Sequence, residues 1–200
     1  LLAAGAAAAP AGALAASPAD PFAEAAIQKT LERYHGFGNK RSGGPGDNAS
    51  GAWLESELTA LGYACERQGF QAPYFEPRIA QLRAGTATAG VLPQGVVVPT
   101  GPNGVTAPLR LAQPGVDLKG AIALIVLPFR RWSTAVAPDV SRPLRAAFAA
   151  GAEAAVLVTT GPTREALALN APAKAPMFDK PVAVLAPADA DPFIAQAATG

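Results

Sequence analysis

Histidine and cysteine are nearly absent from this chain of 200 residues, which contains one of each, His35 and Cys65. A single cysteine excludes a disulfide within the chain and a zinc site built from several thiolates. Zinc takes three or four ligands from His, Cys, Asp and Glu, and no His-x-Asp, His-Glu-x-x-His or Cys-x-x-Cys spacing occurs here. We predict that Cys65 packs as a small hydrophobe in a strand, with a reactive thiol as the alternative.

Charge is also sparse, because Asp, Glu, Lys and Arg make up only 16% of the chain and its formal net charge is +1. No basic run or stripe occurs, so we expect no nucleic-acid partner. Half of the residues are apolar, and 20 Gly and 20 Pro indicate many turns. This composition predicts a folded globular chain that is long enough for one large domain or two small ones.

The first residues, Leu1–Ala16, are small, apolar and uncharged. They resemble the apolar and cleavage regions of a secretory signal, and Ala13–Ala15 fits a small-x-small cleavage site. Gly5 and Pro10 interrupt the run, so we do not expect a membrane span. We expect a periplasmic or secreted mature protein and a longer gene product, with a frayed Ala-rich helix or tail as the alternative.

Two amphipathic helices are predicted next. The first begins at Asp20–Pro21 and ends at Gly36, and the second begins near Asp47–Asn48 and ends at Gly62. The residues predicted to form their apolar faces are Ile27, Leu31 and Tyr34 in the first helix and Leu54, Leu58 and Leu61 in the second. A polar–apolar strand is predicted over Tyr63–Phe70, and Trp53, Tyr63 and Phe70 are interpreted as core residues.

Short strands bounded by Gly or Pro are predicted beyond a boundary near residues 72–78. Two continuous apolar runs flank a helix, which predicts a βαβ unit with Ser141 as the helix cap and Gly151 at its end. The fold class is therefore α/β. The predicted strands are Ile79–Arg83, Val96–Val98, Leu109–Ala112, Ala121–Leu127, Ala154–Thr159 and Val182–Leu185, followed by a short helix over Pro192–Thr199.

Several residues could carry chemistry. His35 could serve as a general base for Ser42, although a His at a helix C-terminus also interacts favourably with the helix dipole. The loop Gly38–Gly46, with Lys40 and Arg41, could cradle a phosphate or form a structural turn. Four carboxylates could hold calcium or magnesium, although solvated helix caps are the simpler interpretation. These carboxylates are Asp139, Asp179, Asp189 and Asp191.

Arg130, Arg131 and Trp132 follow the predicted buried strand that ends at Leu127. Because the end of a strand in a βαβ unit is a common ligand position, this basic and aromatic loop could contact a peptide or a neighbouring domain. Packing at the surface is the alternative.

Gly38–Phe70 resembles the N-terminal segment of co-catalytic zinc aminopeptidases, the exopeptidases related to bacterial leucyl aminopeptidase and the glutamate carboxypeptidase group. The resemblance covers about residues 22–75. It lies in Gly38-Asn39, Ser42-Gly43, Pro45-Gly46, the helix through Leu54 and Leu58, Leu61-Gly62-Tyr63 and Gln68-Gly69-Phe70. Three further segments resemble the protease-associated (PA) domain inserted in many of these enzymes, in the same order. They are Val116–Ile125, Arg145–Val158 and Pro181–Leu185. Lys40 and Asp47 depart from the family pattern at positions that do not bind metal.

The resemblance implies three parts: a signal remnant and linker over residues 1–20, the start of a peptidase domain over 21–75, and a PA-like β-sheet or barrel domain over 76–200 that need not be complete. It implies a peptide or protein substrate and two zinc ions in the whole enzyme. The family's zinc ligands lie after the insertion, so no catalytic or metal residue is assigned here and none is expected before Gly200. The alternatives are a non-catalytic PA-type interaction module and an unrelated hydrolase that uses His35 and Ser42.

Overall fold

The computed structural model describes residues 20–172 and 174–199, so the predicted signal segment Leu1–Ala16 lies outside the described residues. The fold is α/β, as predicted, and its mixed six-stranded sheet curls into a half-barrel. Two compact units divide between Arg67 and Gln68. We call them the N-terminal and C-terminal units.

The N-terminal unit contains two helices, α1 (Glu24–Gly36) and α2 (Pro45–Ala60), close to the predicted positions. Helix α1 begins later than predicted, because Asp20 lies in a turn where its carboxylate accepts a 2.9 Å hydrogen bond from the Phe22 nitrogen. Helix α2 begins earlier than predicted, because Pro45 takes the first helical position, where its missing N–H leaves no bond unmade.

An aromatic cluster joins the two helices. The ring of Trp53 lies 5.6 Å from Phe37 and 6.5 Å from Tyr34, between ring centres. The prediction that the apolar faces of these helices are buried is wrong within this unit. No residue of α1 is buried, and Leu31 is 61% exposed. Two helices alone are too few to enclose the apolar stripe of either one. Ile27, Leu54 and Leu61 are exposed in the same way.

The strand predicted over Tyr63–Phe70 is wrong, since this segment has no regular structure. A strand needs a partner for its backbone N–H and C=O groups, and none pairs with this segment among the described residues. Cys65 is accordingly exposed rather than packed in a strand. Tyr63 and Phe70 are also exposed, so the prediction that they are core residues is wrong.

The C-terminal unit is built on six strands in the order β1-β2-β6-β5-β4-β3. Strands β1 and β2 form an antiparallel hairpin, β2 is antiparallel to β6, and β6, β5, β4 and β3 are parallel to one another. The strands are β1 (Gln81–Ala84), β2 (Ala87–Pro93), β3 (Leu109–Leu111), β4 (Ile122–Val126), β5 (Ala154–Val158) and β6 (Val182–Leu185).

Two of the strand predictions differ from the structure. Strand β2 was not predicted, because Ala, Gly and Pro dominate its sequence and give little strand signal. The strand predicted over Val96–Val98 is wrong, and the segment is irregular. Val96 and Val98 instead line a small cavity of about 10 Å³ beside Met177 and Phe178.

Helix α3 (Pro138–Ala149) joins β4 to the adjacent parallel strand β5 and completes the predicted βαβ unit. The prediction that Ser141 caps this helix is wrong, because α3 begins at Pro138 and Ser141 lies inside it. Gly151 ends the helix with a φ of 87°, a left-handed conformation that favours glycine. Helix α4 (Asp191–Thr199) matches the predicted final helix. A 3₁₀ turn, which was not predicted, separates it from β6.

The sheet has an apolar core on each face. Ala123 and Ile125 of β4 pack with Leu144 of α3, whereas Leu124 between them packs with Phe193 of α4. Because neighbouring strand residues point to opposite faces, α3 and α4 cover opposite sides of the sheet. No helix among the described residues has the length and apolar character needed to cross a membrane.

Candidate functional site

The carboxyl ends of the parallel strands carry the loops in which ligands commonly bind in α/β folds. The loop after β4 runs from Leu127 to Ala137, and the loop after β5 begins at Thr159. The first of these contains Arg130, Arg131 and Trp132, the three residues that the sequence places at a strand end. This edge of the C-terminal unit is therefore the candidate functional site.

Trp132 anchors the loop in the core. Its side chain is part of the buried cluster beneath α3, and the residue is only 8% exposed. The indole nitrogen lies 3.2 Å from the Pro128 carbonyl and 3.1 Å from the Thr160 carbonyl, and it donates to both. Of the two interpretations made from the sequence, packing therefore holds for Trp132, which is not available to a ligand.

The loops after β4 and β5 touch backbone to backbone. The Arg130 nitrogen donates a 3.2 Å hydrogen bond to the Thr160 carbonyl. A Cβ atom on Gly161 would lie 2.7 Å from the Arg130 carbonyl oxygen, a separation that real Cβ atoms do not adopt. Glycine at this position therefore permits the close approach that holds the two loops together.

Arg130 lies on the outer side of this anchor. Its guanidinium forms a 2.8 Å ion pair with Asp139 in the first turn of α3, and it lies 4.9 Å from the centre of the Trp132 ring. Both charged side chains are about half exposed, so the pair adds little stability, but it fixes the direction of the guanidinium. Asp139 is thus an ion-pair partner.

A shallow groove of about 330 Å³ runs between the end of β4 and the start of α3. Val126, Phe129 and Val136 are exposed on or beside it. We call the groove and its exposed neighbours the β4–α3 surface. It comprises Val126, Pro128–Arg131, Val136, Pro138, Asp139, Arg142 and Pro143. Aliphatic side chains, prolines and guanidinium groups are chemically suited to holding a polypeptide segment.

Two buried polar side chains hold the long loop between β5 and β6, and the sequence analysis did not identify either. The amide of Gln94 accepts a 2.9 Å bond from the Leu169 nitrogen and donates a 2.5 Å bond to the Leu169 carbonyl. The hydroxyl of Thr159 accepts from the Leu167 nitrogen at 3.3 Å. A Gln between Pro93 and Gly95 carries no sequence signal of burial.

His35 and Ser42 do not form the catalytic pair that the sequence allows. His35 lies exposed in the last turn of α1, and no hydrogen bond joins its side chain to Ser42 in the described part of the chain. The glycine-rich loop between them is held by its own contacts. The Lys40 ammonium donates to the Gly38 carbonyl at 2.9 Å and lies 4.1 Å from the centre of the Tyr34 ring.

The four candidate carboxylates are dispersed over the C-terminal unit. Asp139 is paired with Arg130, Asp189 lies in the 3₁₀ turn, and Asp191 is the first residue of α4. Asp179 lies in the long loop before β6. No group of three or more His, Cys, Asp or Glu side chains that could hold a metal ion exists among residues 20–172 and 174–199. The described residues therefore do not fit a zinc centre.

Comparison with models of protein families, with curated proteins and with solved structures finds no match to this chain. The likeness to zinc aminopeptidases and their PA domain therefore stays a prediction, carried by the motif residues alone.

Proposed function

We propose that this chain is the N-terminal portion of a secreted or periplasmic zinc-dependent aminopeptidase, and that its C-terminal unit is a PA-like domain that binds or gates the polypeptide substrate. The observation that carries the proposal is a contact between two of the motif segments. The Gly120 nitrogen donates a 2.9 Å hydrogen bond to the Gly151 carbonyl. Gly120 belongs to the first PA-like segment and Gly151 to the second.

The third PA-like segment fits the same arrangement. The three motif segments overlap the strands β4, β5 and β6, which are parallel neighbours in the sheet. Segments that are far apart in the sequence and adjacent in the fold are what a shared domain motif requires. This supports a common PA-like origin for all three.

The N-terminal unit supports the peptidase half of the proposal. Its helices expose large apolar side chains, among them Leu31 and Leu54. Exposed apolar stripes of this kind mark surfaces that another part of a protein covers. We propose that α1 and α2 belong to a larger peptidase domain whose remaining residues cover them.

Catalysis would belong to the whole enzyme, in which zinc supplies the Lewis acid for peptide hydrolysis. Because the described residues do not form a zinc centre, we assign this chain no catalytic step. Its proposed contributions are a scaffold edge and the recognition of polypeptide.

The test compares the 200-residue chain with the longer gene product on leucine p-nitroanilide, with zinc content measured in parallel. We expect the chain alone to release no p-nitroaniline and to bind no stoichiometric zinc, and the longer product to do both. Hydrolysis by the chain alone with matching zinc would overturn the division of roles. If the longer product still hydrolyses leucine p-nitroanilide after the substitution His35→Ala, a hydrolase based on His35 and Ser42 is excluded.

A second candidate is a non-catalytic PA-type interaction module, favoured by the exposed β4–α3 surface. The reading frame after Gly200 distinguishes the two. An apolar strand ending in His-x-Asp, followed by Glu-Glu, supports the peptidase, and a frame without these motifs supports the interaction module.

A further inference from the structure

We infer that the β4–α3 surface binds an extended acidic segment of polypeptide, with apolar side chains in the groove and carboxylates on the arginines around it. This deepens the proposed function, because it rests on the polypeptide-binding role of the C-terminal unit and names both the place and the chemistry.

The loop that carries this surface is anchored to the body of the C-terminal unit. Trp132 is buried and donates to the Pro128 and Thr160 carbonyls, so the loop is held from below. Pro138 begins α3 and fixes the other side of the groove. A surface that is already ordered loses little conformational entropy on binding, so even a small contact area can yield measurable affinity.

The apolar part of the surface exposes more than a solvated loop needs. Phe129 is 72% exposed, and Val126 and Val136 are also exposed. Between Val126 and the first turn of α3 lies the groove of about 330 Å³, which is open to solvent. Aromatic residues are enriched where protein partners bind.

The charge of the surface selects the partner. Arg142 lines the groove together with Asp139, the carboxylate that pairs with Arg130, and Arg131 is the next, exposed residue of the same loop. Among the described residues no carboxylate lies within ion-pair distance of Arg131 or Arg142. Exposed guanidinium groups without an internal carboxylate attract carboxylates of a partner and repel basic segments.

The test uses the full 200-residue chain, labelled with ¹⁵N, and two short synthetic peptides, one alternating Glu with Leu and the other alternating Lys with Leu. We expect the acidic peptide to shift amide signals in residues 126–131 and 136–142 in a saturable way, and the basic peptide to shift none of them. Binding of both peptides alike, or shifts confined to other residues, would overturn the inference.

Substitutions give the second arm. We expect R131E together with R142E to weaken binding of the Glu–Leu peptide by about tenfold or more. The matched control is Arg83→Glu on β1, which makes the same charge change where β2, β6 and β5 separate it from β4, and it should change binding less than about twofold. Unchanged binding by the double variant would also overturn the inference.

If the double variant does not fold, as judged by circular dichroism, R131Q with R142Q replaces it, and a salt titration of the wild-type chain decides. Affinity that does not fall between about 50 mM and about 500 mM NaCl contradicts an arginine–carboxylate contact. If the wild-type chain does not bind the Glu–Leu peptide while the longer product keeps aminopeptidase activity, this inference alone is overturned. If the wild-type chain binds the Glu–Leu peptide and the longer product has no aminopeptidase activity, the proposed enzyme is overturned and the binding surface stands.

Discussion

A distance of 3.2 Å separates the Cα of Lys119 from the place where a Cβ on residue 151 would lie, so a side chain at Gly151 would press against the Lys119 backbone. The Gly151 carbonyl accepts the hydrogen bond from Gly120 at this same point, which joins the loop before β4 to the end of α3. The βαβ unit therefore depends on glycine at its corner.

Replacement of Gly151 with alanine should destabilise the C-terminal unit by about 1–3 kcal/mol, because the new methyl group meets Lys119 and the φ of 87° strains any other residue. Urea unfolding followed by circular dichroism measures this change. Gly69→Ala is the matched control, since nothing lies within 4 Å of its would-be Cβ. Equal stability of the two variants would show that the corner does not constrain the fold.

Gln94→Leu should lower the free energy of unfolding by about 1–3 kcal/mol, because it leaves the buried N–H and C=O of Leu169 without their partner. The same change should speed proteolytic cleavage within residues 159–181, since the loop loses its attachment to β2. Thermal unfolding and limited trypsin digestion report the two effects. Gln113→Leu, at an exposed loop position, should leave both measurements unchanged.

Phe193→Ala should destabilise the C-terminal unit by about 3–5 kcal/mol, because Phe193 is 1% exposed and fills the core between α4 and the sheet. Phe70→Ala makes the same chemical change at a side chain that is 83% exposed, and it should cost less than about 0.5 kcal/mol. Denaturant midpoints for the two variants test the assignment of α4 to a core. A small effect at Phe193 would contradict it.

Leu31→Glu provides a test of whether α1 belongs to a larger domain. In the 200-residue chain the change should alter stability by less than about 0.5 kcal/mol, because Leu31 is already exposed. In the longer gene product it should cost about 2 kcal/mol or more if a peptidase domain covers this face. Equal, small effects in both proteins would indicate that the face stays in water.

The sequence predicted the elements whose signals are local. The strands β4 and β5 were predicted from their continuous apolar runs, because a strand buried on both faces requires apolar residues throughout. The end of α3 was predicted from its glycine, because a left-handed helix end favours glycine. Strand β2 escaped prediction because Gly90 and its small neighbours become a strand only through pairing with β1 and β6.

The candidate site was predicted in part for a similar reason. The position of Arg130 at a strand end follows from the pattern of the chain, but its ion pair with Asp139 depends on where α3 begins. Ser141 is a better cap than Ala137 by residue type, but α3 begins at Pro138, and its residues Val140 and Leu144 are buried. Trp132, which the sequence allowed as a contact residue, is buried because it packs in the cluster that contains Leu144 of α3.

The pairing of β2 with β6 also sets the order in which the C-terminal unit can be completed. Val91 pairs with Leu185, about ninety residues later in the chain, so the hairpin of β1 and β2 leaves the ribosome long before its partner exists. Closing so long a loop is entropically slow. Until β6 emerges, the apolar strand β5 has one open edge, and a nascent chain stalled there would expose it to self-association or to a chaperone.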